Sequence, residues 1–137
     1  HRSQSKLSRI IPEFGSLINP VDVTAQVSTR VLLPGQEGDQ YKACLHIVAK
    51  DKNIDTLIIM LTMGEGKRAK KVAKDIREIY EQTDKPILIT WIAGCLAEEG
   101  YQILREGQIP IFDSPTRCVA ALKVLRNCKR NWSRIGR

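Results

Sequence analysis

"IDTLIIMLTMGEGKRAKKVAKDIREIYEQTDKPILITWI", residues 54–92, decides the fold. It opens with "IDTLIIMLT", an apolar, β-branched run of buried-strand length. Its middle, "KRAKKVAKDIREIYEQTD", sets Val72, Ile76 and Ile79 on one stripe at helical spacing, with charges elsewhere. Its end, "KPILITWI", is a second apolar run, opened by a proline where no ladder donor is needed. Continuous apolar strands on either side of an amphipathic helix predict a parallel pair, buried on both faces and joined by a right-handed crossover.

The alternation continues outward. "DQYKACLHIVAKDKN" has helical spacing, and "CLAEEGYQILREGQ" predicts a helix that stops near Gly107. "IPIFD" is a short third strand, and Ser114 as N-cap with Pro115 in the first turn starts a last helix, "SPTRCVAALKVLRNCKRN". "PVDVTA", residues 20–25, supplies a leading strand. The prediction is an α/β chain: a flavodoxin-like doubly wound parallel sheet of four to five strands in three layers. Residues 1–18 are expected to be a linker or N-terminal extension that becomes ordered only at "IIPEFG", 19–130 the domain, and 131–137 a basic tail.

Composition bounds the function. At 137 residues and 42% apolar content the chain suits one domain. No apolar run approaches the roughly 20 residues of a membrane helix, and "HRSQSKLSRI" lacks the apolar block of a signal peptide. His1 in place of methionine points to a piece of something longer, and a cytoplasmic setting is expected. The net charge of +7 lies largely in Arg2, Lys6 and Arg9, in "GKRAKKVAK", and in Lys123, Arg126, Lys129, Arg130, Arg134 and Arg137. With aromatic content of 5% and no recognition motif, solvated faces and tails are a better reading than nucleic-acid binding. Cys44, Cys95, Cys118 and Cys128 have no metal-like spacing and read as buried or half-buried free thiols; no metal site is expected.

In open α/β sheets ligands gather beyond the carboxyl ends of the strands. Those ends are Thr24-Ala25-Gln26, Thr62-Met63-Gly64-Glu65-Gly66, Ile92-Ala93-Gly94-Cys95 and Asp113-Ser114. The second has two glycines before a helix N-terminus, whose free N–H groups and positive dipole end suit an anion. Yet "TMGEGK" is neither GxGxxG nor a Walker loop, and a plain strand-to-helix turn explains it equally. Glu65 is either a helix-start charge or a partner contact. Trp91 reads as core, with a rim position at the sheet edge beside Gly94 as the rival. Cys95 has no histidine placed to serve it, and His46 reads as structural. For Asp22, capping a turn and serving a site are both open.

"INPVDVTAQ", "IDTLIIMLT", "KPILITWIAG" and "EGQIPIFDSPTRCVAALKVL" follow one another in the order and spacing of a known module. Over about residues 12–127 the chain resembles the second flavodoxin-like domain of NDP-forming acyl-CoA synthetases, the family that includes ADP-forming acetyl-CoA synthetase. It is similar, more distantly, to the C-terminal domain of the succinyl-CoA synthetase beta subunit. The resemblance implies an acid–thiol ligase that interconverts acyl-CoA, ADP and phosphate with free acid, CoA and ATP through a phosphohistidine. The implied partners are a histidine-bearing flavodoxin-like domain, a CoA-binding domain and an ATP-grasp domain. CoA, ATP or ADP and Mg would serve the full enzyme, with none bound by this domain. By position, the helix that faces the phosphohistidine starts at Thr62, Met63, Gly64, Glu65 and Gly66. Asp22, Thr24, Gln26, Trp91 and Gly94 form the expected strand-end interface, with no catalytic residue of the domain's own. The chain lacks a Ser-His-Thr-Gly segment, and "WIAG" departs from the more usual Trp-x-Gly-Gly. The alternative reading is a stand-alone flavodoxin-like module that binds a nucleotide, flavin or CoA at the strand ends.

Overall fold

Three parallel strands form the centre of the computed structural model, which describes residues 2–29, 39–62 and 64–135. β1 (Leu57–Leu61) pairs with β2 (Ile87–Trp91) from Leu57–Ile87 to Leu61–Trp91. β3 (Ile111–Phe112) pairs with β2 through Ile89–Ile111 and Thr90–Phe112. The order is β1-β2-β3, so β2 is flanked on both edges. All five of its residues are buried, which is why its sequence is apolar without alternation.

Six helices surround the sheet among the described residues: α1 (Arg2–Leu7), α2 (Thr24–Thr29), α3 (Gln40–Ala49), α4 (Gly66–Glu81), α5 (Glu98–Glu106) and α6 (Pro115–Ile135). A 3-10 turn at Gly94–Ala97 precedes α5. Strand alternation sorts the two faces. Ile87, Ile89 and Trp91 join Leu57, Ile59, Ala69, Val72, Ile76 and Leu104 in one buried cluster, so α4 and α5 cover that face. Leu88 and Thr90 point the other way, towards α6, which packs on β2 and β3 and buries Cys118. The helix stripe read from sequence is therefore the buried face of α4, with Ile76 and Ile79 both inside.

α6 does not reach over β1. Ile58 and Met60, on its side of the sheet, are 37% and 60% exposed while Leu57 and Ile59 are buried. An apolar strip of sheet is left uncovered by the described residues.

The amino-terminal quarter differs from expectation. "PVDVTA" is not a strand: Ser16 and Asp22 form an isolated antiparallel bridge, and Thr24 already opens α2. The sheet of the described residues thus has three strands, not four or five. Locally this follows from Asp22, whose carboxylate accepts the Thr24 N–H at 2.8 Å and turns the backbone instead of extending it. The head is also more than a linker, since α1 packs on α3 and both Leu7 and Ile11 are buried in the core. At the other end α6 runs through residue 135, well into the segment read as a tail. Two of the thiols depart from expectation too, because Cys95 and Cys128 are exposed while Cys44 and Cys118 are buried.

Candidate functional site

The β1–α4 junction places two positive-φ glycines within three residues. Gly64 has φ 125° and Gly66 φ 49°, values that favour glycine over any residue with a Cβ. Between them Glu65 is the N-cap of α4 in extended conformation, yet its side chain makes no capping hydrogen bond. Its carbonyl accepts the N–H groups of Arg68 and Ala69 at 3.1 and 3.3 Å. No acid occupies the first turn, whereas Lys67 and Arg68 do. Dipole and side chains therefore give this helix end a positive character suited to an oxyanion. Lys70 and Lys71, in the next turn, are paired with Glu99 and Asp39 respectively.

A groove of 440 Å³ leads to this junction. Asp22, Thr24, Thr62, Gly64 and Arg68 are among its lining residues. Apolar residues such as Val23, Leu45 and Leu57 line it as well. The structure thus brings together four of the residues singled out by sequence. Glu65 and Gly66 adjoin them through the chain. Met63 lies outside the described residues, and for Gln26 only the backbone, inside α2, is described.

Trp91 and Gly94 go elsewhere. They line a second cleft of 620 Å³, with Tyr101, Arg105, Asp113 and Arg117, beyond the ends of β2 and β3. Trp91 is 2% exposed, so it is a core residue rather than part of a rim. Its ring lies 3.4 Å from where a Cβ on Gly64 would sit and 2.6 Å from one on Gly100. The indole is wedged under the β1–α4 turn and against α5. Asp22 is exposed and engaged in its turn, which is the capping role. His46 sits half-buried in the last turn of α3.

Sequence reading missed three contributors. Gly100 gives room for the Trp91 ring; its signal was a glycine inside a helical pattern. Tyr101 Oη donates to the Trp91 carbonyl at 3.1 Å and meets the Ala93 N–H at 3.4 Å, fixing the turn after β2. Arg68 sits in the first turn of α4, hidden among five other basic residues of that helix.

Beside the groove, α3 and α4 share a polar cluster. Lys71 bonds both Asp39, the α3 N-cap, and Asp75. Burial pushes the Asp75 carboxyl above its ordinary value. Burial acts upward on Asp39 as well, but the Lys71 ammonium and the Lys42 N–H outweigh it and hold that carboxyl low. Burial also pushes the Cys44 thiol up to about 11 and raises the Tyr41 phenol. Neither is an activated nucleophile, because the anionic form is disfavoured in each. Among the described residues no group of three or more His, Cys, Asp or Glu could hold a metal, and no helix is long and apolar enough to cross a membrane.

The model of the CoA-ligase family matches residues 18–125. The chain is similar to acetate–CoA ligase (ADP-forming) I of Archaeoglobus fulgidus, 27% identical over 120 residues, which are 88% of this chain and 15% of that protein. It is 24% identical over 132 residues to the alpha subunit of acetate–CoA ligase (ADP-forming) II of Pyrococcus furiosus, covering 92% of this chain and 26% of that subunit. The chain therefore spans about a quarter or less of the length of these curated relatives. The crystal structure of PH0766 from Pyrococcus horikoshii OT3 superposes with a TM-score of 0.66 at 21% identity, covering 84% of this chain and 25% of that one. That likeness carries the flavodoxin-like fold.

Proposed function

Because this chain belongs to the CoA-ligase family of NDP-forming acyl-CoA synthetase-like domains, we propose that it is one domain of an acid–thiol ligase. In this reading the full enzyme interconverts acyl-CoA, ADP and phosphate with acid, CoA and ATP. The domain contributes electrostatics and packing, not a reacting group. The observation that carries the reading is the helix end at Gly64-Glu65-Gly66: two left-handed glycines, no side-chain cap, no acid in the first turn, and Lys67 and Arg68 beside it. Preorganised N–H groups of this kind stabilise charge without reorganising as it develops.

The anion served would be a phosphohistidine carried by a second flavodoxin-like domain. The uncovered Ile58 and Met60 supply an apolar surface on which such a domain could pack. CoA, nucleotide and Mg would be held by the CoA-binding and ATP-grasp domains of the same assembly.

Lys67→Glu separates this role from folding. An added carboxylate in the first turn favours the helix dipole, so stability should hold or rise by about 0.3–1 kcal/mol. Near a phosphoryl group the same charge repels. In the assembled enzyme, phosphohistidine labelling from radioactive ATP should fall about tenfold or more, since one pKa-scale unit of interaction is about 1.4 kcal/mol. Unchanged labelling with an intact fold would sink the proposal.

A further inference from the structure

The charge of this chain is concentrated in one element. Residues 114–137 hold seven Lys and Arg and no acid, and the preceding 113 residues balance fifteen basic against fifteen acidic. The whole net charge of +7 thus belongs to α6 and the two residues after it. That helix, of 21 residues, is about 31 Å long at 1.5 Å per residue.

Its apolar stripe outruns the sheet it packs on. Cys118, Ala121, Leu125 and Cys128 recur at the three-four spacing of a helix seam. Cys118 is fully buried and Ala121 half-buried, but every residue from Lys123 to Arg130 is exposed, Leu125 by 51%. In the sequence the same spacing goes on to Trp132 and Ile135. The family match stops at residue 125, while the helix continues for ten more. The seam is therefore core at Cys118 and exposed at Leu125 and Cys128, where Lys123, Arg126, Lys129 and Arg130 flank it.

We propose that the second half of α6 docks, as a basic amphipathic helix, into an acidic-rimmed apolar groove on a partner protein. Charge selects this occupant. A second α6 would bring another all-basic helix, and like charges across a seam repel. A membrane surface calls for a broad apolar face, whereas from Lys123 to Arg130 the large apolar residues are Val124 and Leu125 alone, amid four Lys and Arg. Nucleic acid would use the charges and leave Leu125 and Cys128 exposed. A groove with apolar floor and acidic rim satisfies both halves of the helix surface at once. This docking is independent of the phosphohistidine role.

Calcium-loaded calmodulin, an acidic protein with an apolar helix-binding groove, is the probe. Its titration into the 137-residue chain by calorimetry should give a dissociation constant in about the micromolar range. Binding should weaken about tenfold or more between about 0.05 and 0.5 M salt. Leu125→Glu, and separately the pair Lys129→Glu and Arg130→Glu, should each weaken it about tenfold or more. The charge-matched pair Lys50→Glu and Lys52→Glu, at the C-cap of α3 and in the turn that follows it, should leave it unchanged. Circular dichroism and thermal melting serve as fold controls. The proposal is overturned by failure to bind the probe, or by equal weakening in both charge-matched pairs. It is equally overturned by tighter binding to vesicles of about 30% phosphatidylserine or to single-stranded RNA of about 20 nucleotides. Self-association in the ultracentrifuge that Leu125→Glu abolishes overturns it too.

Discussion

Thr90 carries the one hydroxyl of the central strand, and it is buried with no hydrogen-bond partner among the described residues. An unpaired hydroxyl in the interior costs about 1–3 kcal/mol. Thr90→Val keeps the shape and removes that cost, so its urea midpoint should rise; a fall would mean the hydroxyl has a partner. The polar cluster at Lys71 gives a pH signature. Asp39 has a lowered pKa, so the stability it supplies is present above the ordinary value of 3.8 and is lost as pH falls through its folded pKa. Asp75 is raised, so the folded state keeps its proton longer, and the cost of ionising it grows as pH climbs from 3.8 through the raised value. Asp39→Asn should therefore lose stability relative to the parent mainly above about pH 4, with the difference closing in more acid solution. Asp75→Asn should remove the decline on the rising side. Unfolding midpoints from about pH 2.5 to 7 check both, and a deficit of Asp39→Asn confined to acid would refute the assignment. None of this was legible in the sequence. Asp39, Lys71 and Asp75 are separated by up to 36 positions, and only the α3–α4 crossing makes them one cluster.

At the scale of elements, the interlock of β2, α5 and the β1–α4 turn rests on Trp91. A methyl group added at Gly100 would sit 2.6 Å from the ring and 3.0 Å from the Ala69 carbonyl, so the ring, the helix or both must move. Gly100→Ala gains about 1 kcal/mol of helix propensity, against about 1–3 kcal/mol of overpacking. Net destabilisation is expected, with a red-shifted Trp91 emission as the indole is pushed towards water. A stabilised variant with unchanged emission would contradict the packing. Strand and helix stripes between residues 40 and 131 were readable because burial imposes a period on the sequence. "PVDVTA" was misread because two valines mimic strand alternation. The decisive contact, from Asp22 Oδ1 to the Thr24 N–H, is a local turn bond that periodicity does not report.

For the molecule as a whole, the uncovered part of the sheet is the feature that most needs a partner. Ile58→Gln with Met60→Gln should leave the isolated chain about as stable as the parent, within about 0.5 kcal/mol, since both side chains already meet water. The same pair should weaken association with the neighbouring domain of a full enzyme, read as a shift to smaller species in sedimentation. Loss of stability in the isolated chain would mean that this face is covered from within.

The sequence by itself determined the class of fold, the parallel β1–β2 pair, the glycine-rich start of α4 and the family. Each is written in local spacing, in apolar runs, or in the order of short motifs. The tertiary structure alone decided that the predicted interface divides into two clefts with Trp91 buried between them. It also decided that the head of the chain joins the core through Leu7 and Ile11, and that α6 covers β2 and β3 but leaves β1 bare. The physical reason is that a side chain's face follows from its own neighbours in sequence. Which surfaces meet, and which are left over, depends on helix positions that no local period encodes.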